Sequence, residues 1–131
     1  MNPILSVTDL NISFLQDGVE FGAVNNISFQ VNKGETVALV GESGSGKSVT
    51  ALSTAALLGK SALVNGKITI DGNSGASNDE RALQKLRGNQ VSFIFQEPMT
   101  SLNPLHTIEQ QLSETVSLHQ NLNKEKLREN C

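Results

Sequence analysis

Eight consecutive residues, Gly41-Glu42-Ser43-Gly44-Ser45-Gly46-Lys47-Ser48, fit the pattern G-x-x-x-x-G-K-[ST]. A nucleotide's phosphate chain is polyanionic and needs several donors converging on it. Backbone N–H groups supply them when no side chains obstruct, and glycines permit both the close approach and the unusual backbone angles. A helix starting near Lys47 would direct its N-terminal dipole and free N–H groups at the same phosphates. Lys47 would then reach the β- and γ-phosphates as a point charge, and Ser48 would hold Mg²⁺ through its hydroxyl. The bland alternative is a Gly/Ser linker that happens to contain a lysine. Context argues against it: a run of plain hydrophobics precedes the motif and helix formers follow it, as the mechanism demands.

The elements that must position this loop are legible in outline. ILSVTDLNISFLQ and AVNNISFQV carry β-branched and aromatic residues at near-alternate positions, with Asp17-Gly18 as a turn between them. Lys33-Gly34-Glu35 marks another turn, and TVALV (36–40), apolar on both faces, is expected to be a central buried parallel strand. Ser48 to Leu58 reads as helix closed by Gly59, and Asn65-Gly66 as a turn before the strand KITI. Asp71-Gly72 is a further turn, and Gly72 to Asn78 a flexible loop. Asn78 or Asp79 would cap a polar helix running through Arg87 and ended by Gly88. VSFIF (91–95) is expected to be a second short buried strand, and Thr107 to Leu118 returns to helical spacing with Ile108, Leu112 and Val116 on one side.

Composition narrows the function classes. With 131 residues and 37% hydrophobic residues, the chain has the size and composition of one folded domain. Ten Lys and Arg against 13 Asp and Glu give a net charge of -3, without the basic excess of a nucleic-acid surface. Cys131 is the single cysteine, so no internal disulfide forms and a reducing compartment is expected. No secretory signal and no 18-residue apolar run is present, so a soluble, cytoplasmic protein is expected, attached to a membrane only through a partner. His106 and His119 lack acidic or cysteine partners at metal spacing and read as solvated or packed residues. Asp71 reads as a turn former, Glu97 as structural or interfacial, and KEKLREN as a solvated helical end.

The stretches GESGSGKSVTALS, KGET and above all IFQEPMTSLNP resemble the ATP-binding subunits of ABC transporters. Within that superfamily they are most similar to the bacterial dipeptide, oligopeptide and microcin-C-type peptide importers, over about Leu5 to about His119. The resemblance implies an α/β fold: a P-loop NTPase core of the ABC ATPase type with an N-terminal antiparallel β subdomain, truncated within the helical subdomain. In that frame residues 1–35 form the antiparallel region, 36–95 the P-loop core, 96–106 the Q-loop and 107–131 the start of the helical subdomain. Gly41 to Ser48, with Val49, would bind ATP. Gln96 matches the Q-loop glutamine, a catalytic residue that contacts Mg²⁺ and the attacking water and senses the membrane subunit. Ser48 and Gln96 would be the metal-contacting pair. Phe14 lies where the family places an aromatic that stacks on adenine, though it reads equally as a core strand residue, and Phe21 is a rival for the same role.

The resemblance further implies permease subunits, a second nucleotide-binding domain in a dimer, and indirectly a periplasmic solute-binding protein as partners. It implies no nucleic acid, and a place at the cytoplasmic face of the inner membrane. Residues 97–131 contain no LSGGQ-type signature, no Walker B Asp-Glu and no switch histidine. The parent is therefore expected to be an ATPase, while these residues alone are expected to bind Mg-ATP weakly and turn it over negligibly. The alternative is a non-catalytic, truncated nucleotide-binding or interaction module. A soluble ABC protein of DNA repair or translation is disfavoured by the charge and by FQEPMTSLNP, and a GTPase by the lack of N-K-x-D.

Overall fold

The computed structural model describes residues 2–74, 80–97 and 102–120. The chain divides into two compact units, 1–83 and 84–131, each described by itself. The first is built on an antiparallel sheet of four strands in the order β2-β1-β3-β4: β1 Leu5–Gln16, β2 Val19–Val31, β3 Ala62–Ile70 and β4 Asn73–Ser74. Asp17 and Gly18 join β1 to β2 with φ of 52° and 77°. Asp71 and Gly72 join β3 to β4 with φ of 47° and 78°. Two successive positive φ values are what a type I′ hairpin turn requires, and they match the twist of the flanking strands. Both turns stand where the sequence places them, with Gln16 opposite Val19 and Ile70 opposite Asn73.

Bulges set which side chains reach the core. Val7, Leu10 and Ile12 are all buried, although Val7 and Leu10 are three apart and a regular strand would send them to opposite faces. Asp9, at φ 49°, breaks the alternation in β1, and Asn26, at φ 47°, does so in β2 between Val24 and Ile27. The pairing register shifts at the same places. Side chains stitch the bulges: Asp9 N–H donates to Ser28 Oγ (2.8 Å), Asn11 Nδ2 donates to Asp9 O (2.9 Å), and Asn26 N–H donates to Asn11 Oδ1 (2.9 Å). Opposite lies Gly66, at φ 112°, where a Cβ would come within 2.6 Å of Asp9 O and 2.8 Å of Thr8 O. The turn expected at Asn65-Gly66 is therefore not made. β3 runs straight through it, and the glycine accommodates the bulge.

Val7, Leu10, Ile12, Val24 and Ile68 form the buried cluster, with Phe14, Ile27, Phe29, Val49 and Leu58 packed against it. Each fully buried aliphatic side chain contributes about 1.5–3 kcal/mol. Helix α1, Lys47–Ser53, buries Thr50 and Ser53, and Ala55 just beyond it is fully buried. This helix is shorter than the expected Ser48 to Leu58. Ser53 Oγ donates to Thr50 O and Thr54 Oγ1 to Ala51 O, each 2.7 Å, local bonds that weaken a helix interior. Leu57 N–H then donates to Leu52 O (3.0 Å) and Ala56 N–H to Ser53 O (3.2 Å), the paired bonds of a Schellman closure. Its left-handed position is filled by Ala56, at φ 53°, and not by Gly59.

Two expected buried strands are absent from the described residues. Thr36–Val40 belongs to no ladder, and Val37, Leu39 and Val40 are exposed, the last at 89%. Val91–Phe95 forms only a single bridge, Arg87 to Val91, and Ile94 is fully exposed. A strand apolar on both faces is stable only with paired edges and covered faces. Among the described residues every strand pair is antiparallel, and none reaches either segment.

Helix α2, Glu80–Leu86, ends with Gln90 and Val91 N–H groups both donating to Leu86 O, and with Gly88 at φ 76°. Its expected caps, Asn78 and Asp79, lie outside the described residues, as does most of the expected loop before them. Helix α3, Ile108–His119, starts with a full capping box: Thr107 Oγ1 accepts from Gln110 N–H (3.2 Å), and Gln110 Oε1 accepts from Thr107 N–H (2.9 Å). Among the described residues no helix is long and apolar enough to cross a membrane.

Candidate phosphate-binding site

The glycine-rich loop hangs between Val40 and α1, and the sheet anchors its far end. Gly46 is the N-cap of α1, at φ 93° and ψ 10°, a conformation that side chains disfavour. A Cβ there would lie 2.8 Å from Ala23 O and 3.2 Å from Val24 Cγ2. The helix start is thus pressed directly on the backbone of β2, and Val49, one turn on, packs into the core. Thr50 fixes the same corner from within, since its N–H and its Oγ1 both donate to Gly46 O (2.9 and 2.8 Å). Sequence reasoning missed Ala23 and Thr50 as supports of the loop. The buried hydroxyl four residues after a positive-φ glycine is the signal that could have found the second.

Gly44, at φ 80°, has open space around it, and a turn closes through Ser45 N–H donating to Glu42 O (3.2 Å). No side chain caps α1 and no acidic residue stands in its first turn. The donors of that turn, a cation and a free face of loop are therefore grouped with no carboxylate in the helix's own first turn to compete for them. Lys47 Nζ donates to Gly41 O and Glu42 O, each 2.6 Å, and to Ser45 Oγ at 3.2 Å. Ser48, the next residue, is exposed. Positive-φ glycines, an uncapped helix start, a lysine and an exposed hydroxyl form a donor set that fits a polyphosphate with a hard cation beside it.

The remaining residues singled out from sequence fall as follows. Phe14 faces Phe21 across the β1–β2 pair. Phe14 is half-buried and packs against the core cluster, whereas Phe21 is exposed. Gln96 and Glu97 are exposed in the second unit, and residues 98–101 of the FQEPMTSLNP stretch lie outside the described residues. The part that follows is ordered by Gln111, whose Oε1 accepts from Asn103 N–H while its Nε2 donates to Asn103 O and His106 O, at 3.0–3.1 Å. Asp71 sits in its hairpin turn. His106 is exposed, and the side chain of His119 and all of Cys131 lie outside the described residues. Among the described residues no group of three or more His, Cys, Asp or Glu gathers as a metal site.

The family model described as ABC transporter matches residues 24–130. The chain is 56% identical over 120 residues to the peptidoglycan transport ATP-binding protein YejF of Agrobacterium fabrum, covering 90% of this chain and 22% of that protein. It is 44% identical over 131 residues to the oligopeptide transport ATP-binding protein AppD of Bacillus subtilis, covering 98% of this chain and 40% of the relative. The chain thus spans well under half the length of these relatives. Among solved structures, the ATP-binding cassette MJ0796, a dimer in a post-hydrolysis state bound to ADP and Pi, superposes with a TM-score of 0.80. That likeness covers 95% of this chain and 53% of the other, at 23% identity, and speaks for the fold alone.

Proposed function

Because this chain belongs to the ABC transporter family, as its ATP-binding part, we propose that it supplies the phosphate-holding half of an ATPase that drives import of peptides or related solutes. The observation that carries this reading is the convergence at residues 41–48 of left-handed glycines, an uncapped helix start and Lys47. Gly41 to Ser48 and Val49 hold ATP, Ser48 and Gln96 contact Mg²⁺, and Gln96 orients the attacking water. The bound Mg²⁺ supplies charge neutralisation for phosphoryl transfer when present. Phe14 or Phe21 stacks on adenine; the exposed ring of Phe21 favours it as the more available of the two. In this reading 1–35 is the antiparallel region, 36–95 the phosphate-loop core, 96–106 the Q-loop and 107–131 the start of the helical subdomain.

The partners are permease subunits and a second nucleotide-binding domain, with the assembly at the cytoplasmic face of the inner membrane and a solute-binding protein acting indirectly. The solute class rests on relatives named for oligopeptide and peptidoglycan transport. By themselves the 131 residues bind Mg-ATP and do not turn it over, since no Walker B carboxylates stand among them to activate water. Calorimetric titration with Mg-ATP, alongside phosphate release, tests both halves. The expected outcome is binding that Lys47→Ala removes, with no release above background. Steady release abolished by the same substitution would contradict the second half, and no binding at all the first.

A further inference from the structure

An ammonium carries three N–H donors, and Lys47 has three acceptors within its own loop: the Gly41 and Glu42 carbonyls at 2.6 Å and Ser45 Oγ at 3.2 Å. The loop therefore saturates its lysine. Two of these acceptors are main chain and follow the backbone, and Ser45 is the one side chain among them. Ser45 in turn depends on Gly41. A Cβ at position 41 would lie 2.5 Å from Ser45 Oγ, 3.2 Å from Ser45 Cβ and 3.8 Å from Lys47 Nζ. Position 41 must be bare so that the hydroxyl can sit beside the ammonium, a clearance internal to the loop and separate from the approach of any ligand.

We propose that Ser45 is a positioning residue for Lys47: its hydroxyl accepts from the ammonium and holds it against the first two carbonyls of the loop, in competition with incoming phosphate oxygens. This rests on the reading of the loop as a phosphate site. A triphosphate takes over acceptor positions around the ammonium, so part of its binding energy is spent displacing the loop's own oxygens. Without the Ser45 hydroxyl, one N–H of Lys47 has no protein acceptor and is free for the ligand. Ser45→Ala therefore binds triphosphate more tightly. If the hydroxyl served chiefly to donate to a phosphate oxygen, the same substitution would weaken binding.

The test titrates Mg-ATP into the 131-residue chain and its Ser45→Ala, Ser45→Thr and Lys47→Ala variants. In parallel, the ¹⁵N-ammonium signal of Lys47 is followed by NMR without nucleotide. Ser45→Ala is expected to tighten Mg-ATP binding about three- to tenfold, the scale of one exposed charge-assisted hydrogen bond. It also speeds exchange of the ammonium protons with water. Ser45→Thr restores the hydroxyl and reverses both changes. Gly41→Ala, by displacing the hydroxyl, reproduces the fast exchange with the serine still present. Unchanged or weaker binding by Ser45→Ala overturns the proposal, as does an ammonium signal insensitive to Ser45. Should the unsubstituted chain bind no Mg-ATP, the proposed function fails, while the ammonium exchange still decides whether Ser45 holds Lys47.

Discussion

Gly44 and Gly46 stand two residues apart in one loop with similar backbone angles, and alanine at each should have different consequences. Both have positive φ, 80° and 93°, so either substitution carries the left-handed strain of about 1–2 kcal/mol. Both also stiffen the unfolded chain by a similar amount, which cancels in the comparison. What differs is space. Around Gly44 a Cβ meets nothing within 4 Å, whereas at Gly46 it would lie 2.8 Å from Ala23 O, a backbone atom of β2, and 3.2 Å from Val24 Cγ2. Relieving that overlap means parting α1 from the sheet, an overpacking cost of about 1–3 kcal/mol. Gly46→Ala is thus expected to destabilise the first unit by about 2–5 kcal/mol, against about 1–2 kcal/mol for Gly44→Ala. Urea unfolding followed by circular dichroism reads this as midpoints separated by about 1 M at an ordinary denaturant slope. Equal midpoints would refute the claim that the loop is pinned by its contact with β2.

Four further outcomes follow from the same structure. Ala56→Gly relieves a non-glycine residue at φ 53° in the closure of α1 and should raise stability by about 0.5–1 kcal/mol, seen as a higher urea midpoint. Gly66→Ala would set a Cβ 2.6 Å from Asp9 O at φ 112° and should cost about 3 kcal/mol or more, with loss of amide protection in β1 and β3 by hydrogen exchange. Thr107→Ala removes one half of the α3 capping box and should cost about 1 kcal/mol, read as faster amide exchange in the first turn of that helix. Val40→Lys, at an exposed position, should change stability by less than about 0.5 kcal/mol; a loss several times larger would show that Thr36–Val40 is buried in solution.

How much of this is legible beforehand depends on whether a residue's reason is local. Asp17-Gly18 and Asp71-Gly72 announce themselves because the left-handed angles of a tight hairpin select those residue types at the turn itself. The loop at 41–48 is legible for the same cause. Thr107 and Gln110 satisfy each other within one turn, so the start of α3 is readable to within a residue. The spacing of Val7, Leu10 and Ile12 also holds the bulge in plain sight, as a missed beat in the alternation. Asn65-Gly66 misleads because its glycine answers to Asp9 on a neighbouring strand and not to a turn of its own. TVALV misleads for a related reason. Its pattern describes neighbours on both faces, and those neighbours are not among the described residues. The support of Gly46 by Ala23 is invisible in the sequence because a backbone oxygen leaves no trace in residue type.

The exposed Thr36–Val40 segment has a consequence in time. β1 and β2 pair across a two-residue hairpin turn, the kind of local contact that closes early. β3 joins β1 only after Thr36–Val40, the loop and α1 have been made, with Leu5 opposite Ile70. All four strands still lie within residues 5–74. A ribosome adds about 5–20 residues each second, and domains fold as they emerge. The antiparallel sheet can thus be complete while residues 84–131, the second unit, are still being made. Val37, Leu39 and Val40 stay exposed beside the sheet, with their apolar side chains in water. A short exposed apolar segment of this kind is an aggregation hazard, and it stands immediately before the loop that holds Lys47.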